Sequence, residues 1–386
     1  MALSVAQAFS GAAITVLFAT GAIVGATLAP EPGWATAPIS IFVVGMALST
    51  VPVGVTSRRW GRRPTLLLGT TLGVLSGALA SSAILAASFR LFLLACFLNG
   101  FHAAVSLTYR FAATDGATDE FRPKAISYVL VAGVASAILG PQAVQHSFDL
   151  GPAPYVASYL AQGALALLAL VAVAFFRAPL APAASGAPPT PASALLRRPP
   201  YLLAVFCGLV AYTAMNMVMT AAPLAMTLCG HSNADANLGI QWHVLGMYAP
   251  SFVSGAMVSR FGARRMILAG LALLGSAIVV NLGGDELWRF WLGLAALGVG
   301  WNFAFVGATT LVVESLAPEE RTRGQSLNDF IIFGAMAAGS LLSGGLLASG
   351  GWSTVNMVVA PALLAAFAAL FSKAARSQQR RDGAAP

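Results

Sequence analysis

Apolar runs of roughly 20 residues recur along the whole chain, each long enough to cross the hydrocarbon core of a bilayer as a helix. Twelve such spans are predicted: residues 8–29, 36–56, 65–87, 89–110, 124–147 and 152–176, then 201–228, 238–259, 266–283, 287–313, 324–349 and 353–372. The first follows an uncharged start, Met1-Ala2-Leu3-Ser4, with no basic region and no cleavage site, so it reads as a retained helix and not a signal peptide. Between the sixth and seventh spans, Arg177 to Pro200 is rich in Ala and Pro and has no helical periodicity, the pattern of a linker. The expected fold is an all-α membrane protein of two six-helix bundles, 1–176 and 201–372, joined by a linker at 177–200 and followed by a tail at 373–386.

Charge sharpens this picture. Only 9% of the 386 residues are charged, against about 25% in soluble proteins, and 58% are hydrophobic. With both termini on one side, nineteen of the 21 cationic side chains fall on that side, leaving Arg90 and Arg289 on the other. This is a positive-inside pattern, and one missed span would scramble it. It predicts a multi-pass membrane protein with both termini cytoplasmic. The net charge of +8 then reports topology and anionic lipid, not a nucleic-acid partner. No phosphate-binding Gly-x4-Gly-Lys-Ser/Thr loop occurs, and no Ser or Cys stands beside a plausible base, so neither an ATP-driven pump nor an enzyme is expected, and no resident cofactor. Monomeric action is the expectation.

The two halves repeat each other. Gly54-Val-Thr-Ser-Arg58-Arg59-Trp60-Gly61-Arg62-Arg63 returns as Gly255-Ala-Met-Val-Ser259-Arg260-Phe261-Gly262-Ala263-Arg264, 201 residues later. Gly100-Phe101-His102 pairs with Gly300-Trp301-Asn302, and the segment starting at Glu120 pairs with the one starting at Glu319. Such duplication is common in membrane carriers. The chain resembles the major facilitator superfamily over nearly its whole length. That family's signature after the second helix, Gly-x-x-x-Asp-Arg-x-Gly-Arg-Arg, is matched except that Arg58 replaces the acid. The resemblance implies a cytoplasmic gate built from Gly54, Arg58, Arg59, Gly61 and Arg62 against the eleventh helix. Asp329 lies in that helix, where it either answers Arg58 or Arg59, caps the helix, or takes a proton. His102 and Asn302 either line the central cavity or hydrogen-bond between helices. Gly140-Pro141 is similar to an antiporter signature of drug-efflux members, but Val144 and Gln145 stand where its glycine pair should follow.

One cluster carries candidate chemistry. Met215 and Met219 in the seventh helix, and His243 and Met247 in the eighth, are each spaced i, i+4 and so share a helix face. In an antiparallel hairpin, position numbers of equal sum lie at equal depth, which sets Met215 level with Met247 and Met219 level with His243. Three thioethers and an imidazole suit Cu(I). The plain alternative is that methionines fill gaps and the histidine is a satisfied polar group. Met-x3-Met followed by His-x3-Met resembles the CcoA-like copper importers, a branch of the same superfamily. This implies copper as transported substrate, bound by Met215, Met219, His243 and Met247, with Cys207 and Cys229 as relay candidates, and delivery toward assembly of a haem-copper (cbb3-type) oxidase. The alternatives are a carrier of an organic solute, riboflavin-like or a drug, and a membrane copper sensor or assembly factor that transports nothing.

Overall fold

A computed structural model describes residues 1–113, 122–177, 191–317 and 320–371. Most of the linker, the tail 373–386 and the side chain of Arg58 lie outside the described residues, as do Glu120 and Glu319. The amino-terminal half runs through α1 (Ala2–Leu28), α2 (Ala37–Trp60), α3 (Arg62–Leu85), α4 (Phe89–Ser106), the single turn α5 (Tyr109–Ala112), α6 (Arg122–Gln145) and α7 (Val156–Ala174). After the short α8 (Ala192–Leu195) come α9 (Pro199–Leu228), α10 (Asn233–Tyr248), α11 (Ser251–Phe261), α12 (Ala263–Leu282), α13 (Leu287–Glu314) and α14 (Arg321–Ala369).

Nine helical stretches among the described residues are long and apolar enough to span a membrane by themselves. The remaining three crossings have local causes. Gly351, at φ 69° and ψ −171°, divides α14 into two helices, in a backbone state that glycine tolerates far better than other residues. Pro250 has no N–H to continue a helix, so the eighth crossing is broken into α10 and α11. The third is α6, whose 24 residues are long enough to cross a bilayer. Twelve crossings in two bundles of six result. Side chains such as Leu75, Val171, Val279 and Leu364 point outward and are exposed, as a lipid-facing surface requires.

Lipid gives helices no hydrophobic reason to associate, so close backbone approach does the packing. Gly69, Gly73 and Gly77 recur along one face of α3: a Cβ at Gly73 would stand 2.7 Å from the His102 ring, and one at Gly77 only 2.5 Å from the backbone of Gly163. The duplication is written into the backbone as well. Gly61 (φ 88°, ψ 166°) and Gly262 (φ 84°, ψ 151°) make the same turn between helices 201 residues apart. Just beyond each, an arginine caps the last helix of its own half: Arg63 Nη2 donates to the Ala174 carbonyl (2.8 Å) and Arg264 to that of Leu370.

The structure corrects one equivalence. A Cβ on Gly100 would strike the Phe42 carbonyl, Met46 N and Gly45 C, whereas one on Gly298 would strike the His243 carbonyl, Met247 N and Gly246 C. Those contacted residues are 201 apart, but the glycines are 198 apart. Likewise His102 sits against Gly69 and Gly73, and Gly300 against Gly270 and Leu274. The mate of His102 is therefore Gly300, and Asn302 answers Ala104. The similar triplets Gly-Phe-His and Gly-Trp-Asn suggested a register two residues off, because helix register is set by where glycine admits a neighbouring backbone.

The halves touch on the side away from the termini. There Thr36 Oγ1 donates to the Ser340 carbonyl (2.6 Å), Asn237 Nδ2 to the Pro141 carbonyl (2.6 Å) and Gln142 Nε2 to Gln241 Oε1 (3.0 Å). Between the halves, toward the terminal side, lie two adjoining cavities.

Candidate functional site

The deeper cavity, of about 120 Å³, is lined by Met215, Met219 and Met247 together with Met46 and Met336. Ile14, Phe18, Phe42 and Met46 also line it. These four are the residues 201 positions before Met215, Met219, His243 and Met247, so the cavity sits where the two repeats face each other. Phe18 and Phe42 meet edge-on at 5.3 Å. The two halves thus offer one aromatic wall and one thioether wall.

His243 is fully buried but is not among the residues lining this cavity. Its Nδ1 lies 2.9 Å from the Leu294 carbonyl of α13, and its Nε2 has no partner. A proton on Nδ1 would leave Nε2 with a free lone pair, the arrangement usual for a metal-binding histidine. His102 has the same pattern, Nδ1 on the Gly69 carbonyl at 3.2 Å and Nε2 unpartnered. Of the two roles expected for His102, this is the helix-to-helix hydrogen bond; it lines neither cavity.

Asn302 does line the second, larger cavity, of about 300 Å³. Its Nδ2 donates to the Met247 carbonyl (2.7 Å) and to Ser251 Oγ (2.8 Å), tying α13 across the break before Pro250. Polar side chains commonly satisfy backbone groups where a membrane helix is interrupted. Beside Asn302 stands an aromatic wall. Trp301 and Phe305, one turn apart on α13, stack at 4.9 Å with planes 10° apart, and Tyr212 of α9 meets them edge-on at 5.1 and 5.3 Å. Phe333 of α14 closes the group, 6.4 Å from Tyr212. The sequence reading missed this wall, although the i, i+4 spacing of Trp301 and Phe305 was its signal.

The same cavity holds two opposite charges, Arg110 from the amino-terminal half and Asp329 from the carboxy-terminal half. Asn328 Nδ2 donates to Asp329 Oδ1 at 3.0 Å. Among the described residues Asp329 makes no ion pair with Arg59, and Arg110 is the cation whose field reaches it. Gly54 lies within α2, Gly61 forms the turn after it, Arg59 is exposed, and Arg62 opens α3. Cys207 is buried in α9 and lines neither cavity. Cys229 caps the far end of α9 and is exposed; burial of its sulfur and the nearby Asp285 hold its thiol above the usual range, which disfavours the metal-binding thiolate.

The sequence matches the Major Facilitator Superfamily over residues 3–240 and again over 204–386. It is 42% identical over 363 residues to the riboflavin transporter RfnT of Brucella anthropi, a match covering 93% of this chain and 91% of that protein. It is 28% identical to the uncharacterized MFS-type transporter YddS of Bacillus subtilis, over 91% of this chain and 85% of the other. Among solved structures, the nucleoside transporter NupG superposes with a TM-score of 0.71 at 13% identity, covering 96% of this chain and 99% of that one. At that identity the likeness is one of fold. The relatives are transporters and not enzymes, and the duplicated twelve-helix architecture agrees with them: the chain belongs to the Major Facilitator Superfamily.

Proposed function

We propose that this carrier moves a small planar heteroaromatic solute of the riboflavin kind, by alternating access, as a monomer in the bacterial cytoplasmic membrane with both termini in the cytoplasm. The observation that carries the reading is the wall of Tyr212, Trp301, Phe305 and Phe333 beside a cavity of about 300 Å³, at the low end of volumes that hold small organic ligands. Flat rings stack on such walls, each worth about 1–3 kcal/mol by analogy with base stacking. Asn302, Ser251 and Thr310 supply hydrogen-bonding groups around the same space. The 42% identity to a riboflavin transporter supports this choice over the copper expectation. The test is uptake of labelled riboflavin by cells that cannot make it. The intact chain should support uptake and Trp301→Ala should lower it by about tenfold, in line with one lost stacking partner; uptake no better than that of cells without the protein would reject the reading.

A second reading, copper as the transported ion, is favoured by the thioether wall of Met215, Met219 and Met247 with the unpartnered Nε2 of His243 behind it. Replacing Met215 and His243 together by Ala separates the two. The riboflavin reading expects solute uptake to persist in that variant, whereas the copper reading expects cellular accumulation of radioactive copper to vanish with it.

A further inference from the structure

The two cavities differ in the polar groups they show. Of the described residues that line the deeper cavity and not the larger, only Thr15 and Asn216 carry oxygen or nitrogen in their side chains. They are 201 positions apart, and so occupy the same place in the two repeats, one on α1 and the other on α9. Both have spent their donors inside the protein. Thr15 Oγ1 donates to the Gly11 carbonyl at 2.9 Å. Asn216 Nδ2 donates to Ser340 Oγ at 2.7 Å and to the Met336 carbonyl at 3.2 Å, and the carbonyl on that side fixes which end of the amide is nitrogen. Asn216 Oδ1 is buried and has no partner. What is left for a solute is acceptor only: the Asn216 oxygen, the lone pairs of the Thr15 hydroxyl and the weakly accepting thioethers. An unpaired buried acceptor is costly, so a solute that fits here brings a donor. At the boundary between the cavities the inventory changes. Gln7, Tyr212 and Tyr248 line both, and their amide and hydroxyl groups can donate. The complementary ring edge has an N–H at its tip and acceptors behind it. That is the edge of a cyclic imide, an N–H between two carbonyls, and the flat ring of riboflavin carries one.

We infer that Asn216 and Thr15 set the solute specificity of this carrier: they accept the N–H of a cyclic imide edge that enters the deeper cavity, while the rest of the ring lies along the wall of Tyr212, Trp301 and Phe305. The ring substituents then point toward the terminal side. The solute is taken from the riboflavin reading, and the orientation comes from the donors and acceptors of the cavity. A site built to pair a polar group rejects a compound lacking it more sharply than an apolar pocket rejects one lacking a methylene.

Competition in vesicles holding the purified carrier tests this. Exchange of labelled riboflavin is measured first, and its absence would reject riboflavin as the solute. Where exchange occurs, riboflavin methylated at the imide nitrogen should need about tenfold more to halve it than riboflavin itself, the order expected for one lost hydrogen bond and one stranded acceptor. The deaza analogue, in which the central ring nitrogen is replaced by C–H and the imide is kept, should compete like riboflavin. Equal competition by the methylated compound would overturn the inference. Asn216→Leu and Thr15→Val remove an acceptor without making room. Each should narrow the gap between riboflavin and its methylated form, Asn216→Leu to less than about threefold. A gap unchanged in both variants would show rejection by bulk or a purely structural role for these side chains, and would overturn the inference too. If riboflavin does not exchange, the melting temperature of the carrier in detergent is compared with uridine, a cyclic imide on a different ring, and with uridine methylated at the imide nitrogen. A rise with uridine alone supports the site; no difference between the two overturns it.

Discussion

Gly298 shows how little space one residue can control and how much rests on it. An added methyl group there would stand 2.2 Å from the His243 carbonyl and 3.0 Å from Met247 N, so the backbone of α10 would have to move at the very residues flanking the thioether cavity. Overpacking of this kind costs about 1–3 kcal/mol. Gly298→Ala should therefore lower the melting temperature in detergent, whereas Gly275→Ala on α12, where an added Cβ meets nothing within 4 Å, should leave it unchanged or raise it slightly. Equal melting temperatures for the two variants would show that α10 is free to shift. At this scale the sequence was a good guide to residue types and a poor one to directions. The methionines at 215, 219 and 247 do line one cavity, as their spacing implies, but His243 turns toward the Leu294 carbonyl, a contact with α13 that spacing within a hairpin cannot report.

Helix boundaries were legible wherever hydropathy alone decides them. The spans expected at 201–228 and 287–313 are observed as Pro199–Leu228 and Leu287–Glu314. The eighth span was read as one helix, 238–259, and is instead α10 and α11, because a hydropathy pattern is blind to a missing N–H. That break places Tyr248 and Ser251 on the cavity wall, and Asn302 bonds across it. Asn302→Ala would remove both of the bonds that span this break. Uptake should fall by about tenfold, the order expected when one or two hydrogen bonds of about 1 kcal/mol are lost along with the shape of the site. Uptake at the native level would mean that these bonds are incidental.

On the scale of the whole molecule, transport requires the far side to open. The Gln142–Gln241 bond spans the two halves there. With Cys229 changed to Ser, since it is exposed on the same side, the pair Gln142→Cys and Gln241→Cys should be joined by a short, reducible bis-maleimide that spans the gap the two glutamine side chains now fill. Uptake should stop and should return on reduction; transport that continues with the cross-link formed would exclude opening at this seam. The charge pattern along the chain foretold which helix ends share a side, and the repeat foretold two bundles. Which side is closed was not legible, because it depends on a few hydrogen bonds between residues about 100 to 300 positions apart.

The three-residue difference in register between α4 and α13 has a consequence for anyone who would rebuild this carrier from one half. Copying the carboxy-terminal bundle onto the amino-terminal one by matching letters would set an asparagine at His102, where the side chain is wedged against Gly69 and Gly73. Copying by matching contacts would set it at Ala104. Only the second graft puts an amide at the position equivalent to Asn302, and a twofold-symmetric design derived from this protein should be drawn from the glycine contacts and not from the alignment.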